Sequence, residues 1–113
     1  MMEIIKWQEK EIKQNPHGVD VRPIYNKENA QAMHLTLKPG EGLKPHLTPV
    51  NVFFYVLEGK PTILIGDEEK EIEKDILVES PADIVHCISN STNKIARILV
   101  VKAPRPVKAS RVL

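Results

Sequence analysis

Two histidines, His46 and His86, stand forty residues apart in a chain that otherwise alternates apolar and polar side chains. Each follows a turn signal, Pro39-Gly40-Glu41-Gly42 before the first and Ser80-Pro81-Ala82-Asp83 before the second. Neutral imidazole nitrogens bind divalent ions, and an imidazole titrating near neutrality can move a proton. A single histidine in a strand is ordinarily a core or surface residue. Two that follow matched turns and can point into one cavity make a candidate site. His34 and His17 do not join them at this level. Period-two alternation puts His34 on a polar strand face as a surface residue, and His17 lies on a turn with nothing to place it near the pair.

Holding two imidazoles against each other takes rigid strands. Met33, Leu35 and Leu37 alternate with His34, Thr36 and Lys38, which predicts a strand over 33–38. The most apolar run covers 50–57 and ends at Glu58-Gly59-Lys60-Pro61. Further strands are expected over 62–65, 70–72 (after a hairpin at Gly66-Asp67-Glu68-Glu69), 76–78, 84–89 and 95–101. Upstream, 1–14 reads as a short strand or helical turn, Asn15-Pro16-His17-Gly18 as a turn, and 19–24 as a short strand ending near Pro23. Short strands at this spacing, punctuated by Pro and Gly, imply an all-β sandwich or barrel.

Strand parity then assigns faces. Positions 46, 48, 50, 52, 54 and 56 share one face, as do 84, 86 and 88, which predicts a pocket of His46, Thr48, Val52, Phe54 and His86 with Val50, Val56, Leu35, Leu37, Ile84 and Ile88 around it. Such a cavity, mostly apolar with a few polar anchors, suits a small organic ligand. Cys87 points outward. Phe53, Tyr55 and Leu57 point away from the pocket too, and three large apolar groups on one face call for cover from a second sheet, the N-terminal segment or another subunit. Trp7 with Ile4 and Ile5 is a candidate for that contact.

The totals exclude several classes. At 113 residues the chain is one domain, and 42% hydrophobic with 27% charged residues is a globular composition. Sixteen Lys+Arg against fifteen Asp+Glu leave a net charge of +1, which argues against a dedicated nucleic-acid binder. The run Lys102, Arg105, Lys108, Arg111 is expected to be a solvated tail. No apolar stretch approaches the ~20 residues that span a bilayer, and residues 1–8 lack the features of a signal peptide, so the expectation is a cytoplasmic protein without membrane contact. The single cysteine, Cys87, fits a reducing compartment.

The spacings over 33–101 resemble the cupins, small jelly-roll β-barrels of the double-stranded β-helix type. The family's first motif runs Gly, five residues, His-x-His, three or four residues, Glu, six residues, Gly. Here Gly40 precedes His46 by that interval, and Val52 precedes Gly59 by the later one. The second motif, Gly, five residues, Pro-x-Gly, two residues, His, three residues, Asn, is met by Asp75, Pro81, Asp83, His86 and Asn90. The phrase Phe54-Tyr55-Val56-Leu57-Glu58-Gly59 is typical of the strand closing the first motif.

The resemblance implies a divalent ion held by three histidines and a glutamate. His46 and His86 match the first and last histidines, whereas Thr48 and Val52 stand where the other two ligands would be. The motif is therefore a reduced one. Asp83 at a glycine position is tolerable if it adopts positive φ, which Asp does better than most residues. The expected architecture is an N-terminal segment (1–32) with strands packing on the barrel or a partner subunit, a barrel (33–103) and a tail (104–113). A homodimer is the expected assembly, as in cupins of this type. Two functions follow. One is a small single-domain cupin whose pocket holds an organic molecule on His46 and His86 without an obligatory metal. The other is a divalent-metal enzyme of isomerase, dioxygenase or decarboxylase type, with Zn, Ni, Cu, Mn or Fe held by the same pair.

Overall fold

The alternation around Met33 belongs to a strand, β2 (Ala30–Leu37), in which Met33, Leu35 and Leu37 are all buried. The computed structural model describes residues 1–113. Around β2 it places β1 (Asp20–Lys27), β3 (His46–Leu47), β4 (Val52–Glu58), β5 (Thr62–Ile65) and β6 (Glu68–Glu71). The later strands are β7 (Leu77–Ser80), β8 (His86–Ser89), β9 (Ala96–Lys102) and β10 (Arg111–Val112), and a single 3₁₀ turn covers Trp7–Glu9. Two five-stranded antiparallel sheets result, in the orders β1-β2-β9-β4-β7 and β10-β3-β8-β5-β6. Leu35, Leu37, Phe54, Ile98 and Val100 of the first sheet meet Ile63 and Ile88 of the second in one core.

This is a jelly roll, but the sheets do not close into the barrel expected from the sequence. No ladder joins the outermost strands of one sheet to those of the other. The open edges are managed locally instead. Strand β6 carries only exposed Glu and Lys, whose charges discourage pairing with another chain. Strand β1 runs through Pro23 rather than ending there, with a register shift between Pro23 and Tyr25. As an edge strand it can spare the missing N–H. No helix is long and apolar enough to cross a membrane.

The turns explain the motif residues. Asp75 and Asp83, at the two glycine positions, have φ of 67° and 61°. Gly59 is a real requirement: its φ is 80°, and a Cβ there would lie 2.5 Å from the Ile95 carbonyl oxygen. Asn90 is buried, and its amide donates to the carbonyls of Leu37 and Lys94 while its Oδ1 accepts from Thr92, pinning the turn before β9 to the end of β2.

Both termini correct the sequence reading. His34 faces away from the core as its parity requires, yet it is 1% exposed. The Trp7 ring covers it, stacked at 3.8 Å and 8°, with the Arg22 and Arg97 guanidinium groups 5.2 and 5.3 Å from the indole centroid. The polar face of β2 is thus buried by the N-terminal segment of its own chain. Trp7 is therefore committed to His34, while Phe53, Tyr55 and Leu57 stay half-buried and Ile4 and Ile5 exposed. The C-terminal tail does not leave the fold. It returns so that Arg111 pairs with Leu47 and Val112 with His46, giving β3 the partner its backbone groups need. Arg105, Lys108 and Arg111 are exposed as expected, but Lys102 is not a tail residue: it is the last residue of β9.

Candidate functional site

His46 opens β3, His86 opens β8, and the two are register partners where those strands meet. Their rings are nearly perpendicular, 84° apart, and the Nε2 atoms are 3.1 Å from each other. The partners of the remaining nitrogens fix the protons. His46 Nδ1 lies 2.7 Å from the Lys44 carbonyl oxygen, which can only accept, so Nδ1 carries the hydrogen and Nε2 is a bare acceptor. The hydrogen between the rings must then sit on His86 Nε2. That leaves His86 Nδ1 as an acceptor for the Ser80 hydroxyl at 2.7 Å. The hydrogen bonds run in one direction, Ser80 to His86 to His46 to Lys44.

Both imidazoles are neutral at pH 7. Burial pushes His86 down to about 4, helped by His46 and Lys102, and pushes His46 down as well, partly offset by the Lys44 carbonyl. In this state the pair is a neutral, internally hydrogen-bonded wall rather than a charge, and a weak base. Phe54 meets the His86 ring edge-on at 5.3 Å.

Beside the pair lies a cavity of about 410 Å³. Of the residues expected around it, His46, Val52, Phe54, His86 and Leu35 form its walls. Thr48 does not. It is buried behind them, its Oγ1 3.2 Å from His86 Nε2 and 2.9 Å from the Ser110 hydroxyl. Val50 and Ile84 also depart from parity, because β4 begins at Val52 and β8 at His86. Val50 is half-buried on a bend outside the core, and Ile84 is 38% exposed. Cys87 is half-buried, and burial raises its thiol pKa.

Among the wall residues that the sequence reading missed, three bear on the chemistry: His17, Ser110 and Lys102. His17 reaches the cavity because Asn15 organises the turn around it, accepting from the His17 N–H at 3.0 Å and donating to the Val19 carbonyl at 2.9 Å. Its ring lies 5.0 Å from that of His46. The Lys44 N–H donates to His17 Nδ1 at 2.8 Å, so one peptide segment orients both histidines. Ser110 comes from the returning C-terminus, which no periodicity signals. Lys102 continues the inward series Ala96, Ile98, Val100, and that parity was available to read.

These residues do not fit a divalent ion. No group of three or more His, Cys, Asp or Glu is placed to hold one. His17 cannot supply a third nitrogen as it stands, since Nδ1 accepts from Lys44 and Nε2 must carry the hydrogen. Val52 and Thr48 hold the other ligand positions, the cavity wall has no carboxylate, and Lys102 adds positive charge. A transition ion held by two imidazoles beside an ammonium lacks both ligand number and charge balance.

The family model described as "Cupin domain" matches residues 33–102. The sequence finds no match among curated proteins. Among solved structures, a protein from Thermus thermophilus superposes with a TM-score of 0.80 at 29% identity, covering 93% of this chain and 100% of that one. An RmlC-like cupin family protein with a double-stranded β-helix fold from Methanocaldococcus jannaschii gives 0.76 at 26% identity, with 94% of each chain covered. The polyketide cyclase RemF from Streptomyces resistomycificus gives 0.85 at 18% identity, over 100% of this chain and 86% of its own. At that identity the likeness is one of fold alone.

Proposed function

This chain belongs to the cupin domain family, and from that premise we propose that it binds a small organic molecule in the cavity beside His46 and His86, with no obligatory metal. The observation that carries this reading is the directed hydrogen-bond chain through the two imidazoles. It satisfies Ser80, His86, His46 and Lys44 without an ion and leaves a neutral wall on a cavity whose apolar side is formed by Leu35, Val52, Phe54 and Val100. A volume of about 410 Å³ falls within the range of small-molecule sites. All four ring nitrogens of the pair are used within this chain of bonds, so the pair is a rigid neutral wall, and the hydrogen-bonding groups left free to orient a ligand are the Nε2–H of His17 and the ammonium of Lys102.

One observation favours the metal-dependent alternative: the two Nε2 atoms lie 3.1 Å apart, and in the other tautomer of His86, with Nδ1–H donating to the Ser80 oxygen, both would carry lone pairs. Metal analysis of the purified protein separates the two readings. The expected result is no stoichiometric Zn, Ni, Cu, Mn or Fe, and no rise in Tm when these ions are added. Fragment-sized organic molecules should instead move the His46 and His86 imidazole resonances. A stoichiometric ion that disappears in the His46→Ala, His86→Ala double variant would overturn the proposal and leave the enzyme reading in its place.

A further inference from the structure

We propose that the cavity takes a small organic acid, whose carboxylate pairs with Lys102 while its apolar body lies along Leu35, Phe54 and Val100. This deepens the reading of the cavity as a small-molecule site and rests on it.

The argument begins with the direction of one side chain. Ala96, Ile98 and Val100 of β9 are buried in the core, and Lys102 is next in the same alternating series. It stands in register with Val52 on one side and Gln31 on the other, at the end of the sheet where the cavity opens. A lysine at the end of a strand ordinarily lies in solvent or against a carboxylate. Lys102 does neither. It is half-buried, none of the three ion pairs in the molecule includes it, and its ammonium makes no hydrogen bond. Burial and the neighbouring Lys13 both lower its pKa, so the charge is held at a cost that an anion beside it would remove.

The surroundings give no alternative counter-ion. Lys13, Lys102 and Lys108 line the cavity, and no Asp or Glu does. Lys102 is near enough to depress the titration of His17, His46 and His86 alike, so all three imidazoles sit in its field. His17 supplies a further donor. Because its Nδ1 accepts from the Lys44 N–H, its Nε2 carries a hydrogen that no group in the protein accepts. The ammonium and the unpaired imidazole N–H line the same cavity, and a carboxylate is the ligand group that can accept from both.

The same inventory separates a carboxylate from other ligands. A cationic ligand would meet three lysines and nothing to offset them. Lysines bind phosphate as well, but sites built for phosphate add arginine forks, helix N-termini or glycine-rich loops, and none of these lines the cavity. The remaining walls are largely aliphatic or aromatic, which suits the body of an organic acid rather than an inorganic anion.

The test is titration calorimetry, with imidazole NMR shifts to locate the site, using 3-phenylpropanoate, its neutral amide and phenyl phosphate as probes. The carboxylate should bind about ten-fold more tightly than the amide, the ratio expected for one charge-assisted contact. Lys102→Met should remove most of that advantage and leave amide binding within about two-fold, whereas Lys102→Arg should keep it. Should Lys102→Met fail to fold, the unmodified protein still decides: carboxylate affinity must fall with added salt while amide affinity holds. An amide that binds as tightly as the acid, or a phenyl phosphate that binds more tightly, overturns the assignment to carboxylates and leaves the small-molecule reading intact. If none of the three binds saturably near His17, His46 and His86, both fail.

Discussion

The Nε2 atoms of His46 and His86 lie 3.1 Å apart, and the same two residues are the register pair at which β3 joins β8. Backbone pairing and side-chain pairing therefore hold one contact, and removing either ring strands the other. His86 is the more deeply placed, touching Ser80, Thr48, His46 and Phe54, so His86→Ala should destabilise the fold by about 2–4 kcal/mol and His46→Ala by about 1–2 kcal/mol. A urea double-mutant cycle should return a coupling of about 0.5 kcal/mol or more. Strict additivity would mean that the imidazole–imidazole hydrogen bond contributes nothing.

Acid should weaken the protein in a window set by its buried histidines. Burial first, and neighbouring positive charges next, hold His34 and His86 at about 4 and His17 at about 4 as well. The unfolded chain takes up these protons near pH 6.5, while the folded chain refuses them until about pH 4. Stability is therefore full above about pH 6.5 and falls as the pH drops towards 4, with a slope of at most about 1.4 kcal/mol per pH unit for each histidine. The half-exposed His17 should contribute least. Chemical unfolding at pH 7, 6 and 5 measures the slope, and His34→Gln or His86→Gln should each make it shallower. A flat profile from pH 7 to 5 would contradict the neutral assignment of the dyad.

The clasp at the N-terminus gives a separate handle. Arg22 binds Asp20 through both nitrogen branches and donates to the carbonyls of Trp7, Gln8 and Lys10 at 3.5, 3.0 and 3.3 Å. It holds the 3₁₀ turn that lays Trp7 on His34. Arg22→Ala should free the segment and speed tryptic cleavage after Lys10 and Lys13 by about ten-fold, the effect of a local opening made easier by about 1.4 kcal/mol. Trp7 is the only tryptophan, so its emission should move to the red in the same variant. Unchanged emission would show that stacking alone seats the indole.

What the sequence disclosed follows the range of the interactions involved. Strand β5 at Thr62–Ile65 matches its expected bounds, because a turn closes it on either side and its alternation is local. The convergence of His46 and His86 was legible through parity and matched turns. Lys102 was legible in principle, since Ala96, Ile98 and Val100 already define the inward series, but its charge made it look like the start of a tail. The burial of His34 was not legible. Parity says which way a side chain faces, not whether a distant residue such as Trp7 comes to cover it. His17 depends on a hydrogen bond from Lys44, and β10 has only two residues, so neither leaves a periodic trace.

The returning C-terminus forms part of the cavity wall, and its removal should be felt there first. Ser110 holds the Thr48 hydroxyl at 2.9 Å, and the Leu113 N–H reaches the Pro45 carbonyl at 3.1 Å. Truncation after Pro104 should leave the core of Leu35, Phe54 and Ile98 intact but expose one edge of β3. Amide exchange should quicken at His46 and Leu47, the register partners of β10, while Ile98 stays protected. Equal acceleration at all three positions would mean that the segment supports the whole fold rather than the cavity wall.

Gly59 and Asp83 carry similar backbone angles but should respond oppositely to substitution. Both sit at positive φ, 80° and 61°. At Gly59 the conformational cost of a side chain is joined by collision, because a Cβ would lie 2.5 Å from the Ile95 oxygen and 2.8 Å from the Ala96 Cα. Those are backbone atoms of the segment entering β9, which cannot yield without moving the strand. Gly59→Ala should therefore cost more than about 3 kcal/mol. Asp83 already places a Cβ without conflict and is exposed, so Asp83→Gly should change stability by less than about 1 kcal/mol in either direction. Asp83→Val should cost about 1–2 kcal/mol, since a β-branched residue tolerates the left-handed region worst. Thermal unfolding of the three variants side by side decides the matter. If Gly59→Ala proves as mild as Asp83→Gly, the close approach at Ile95 is not what makes glycine necessary there.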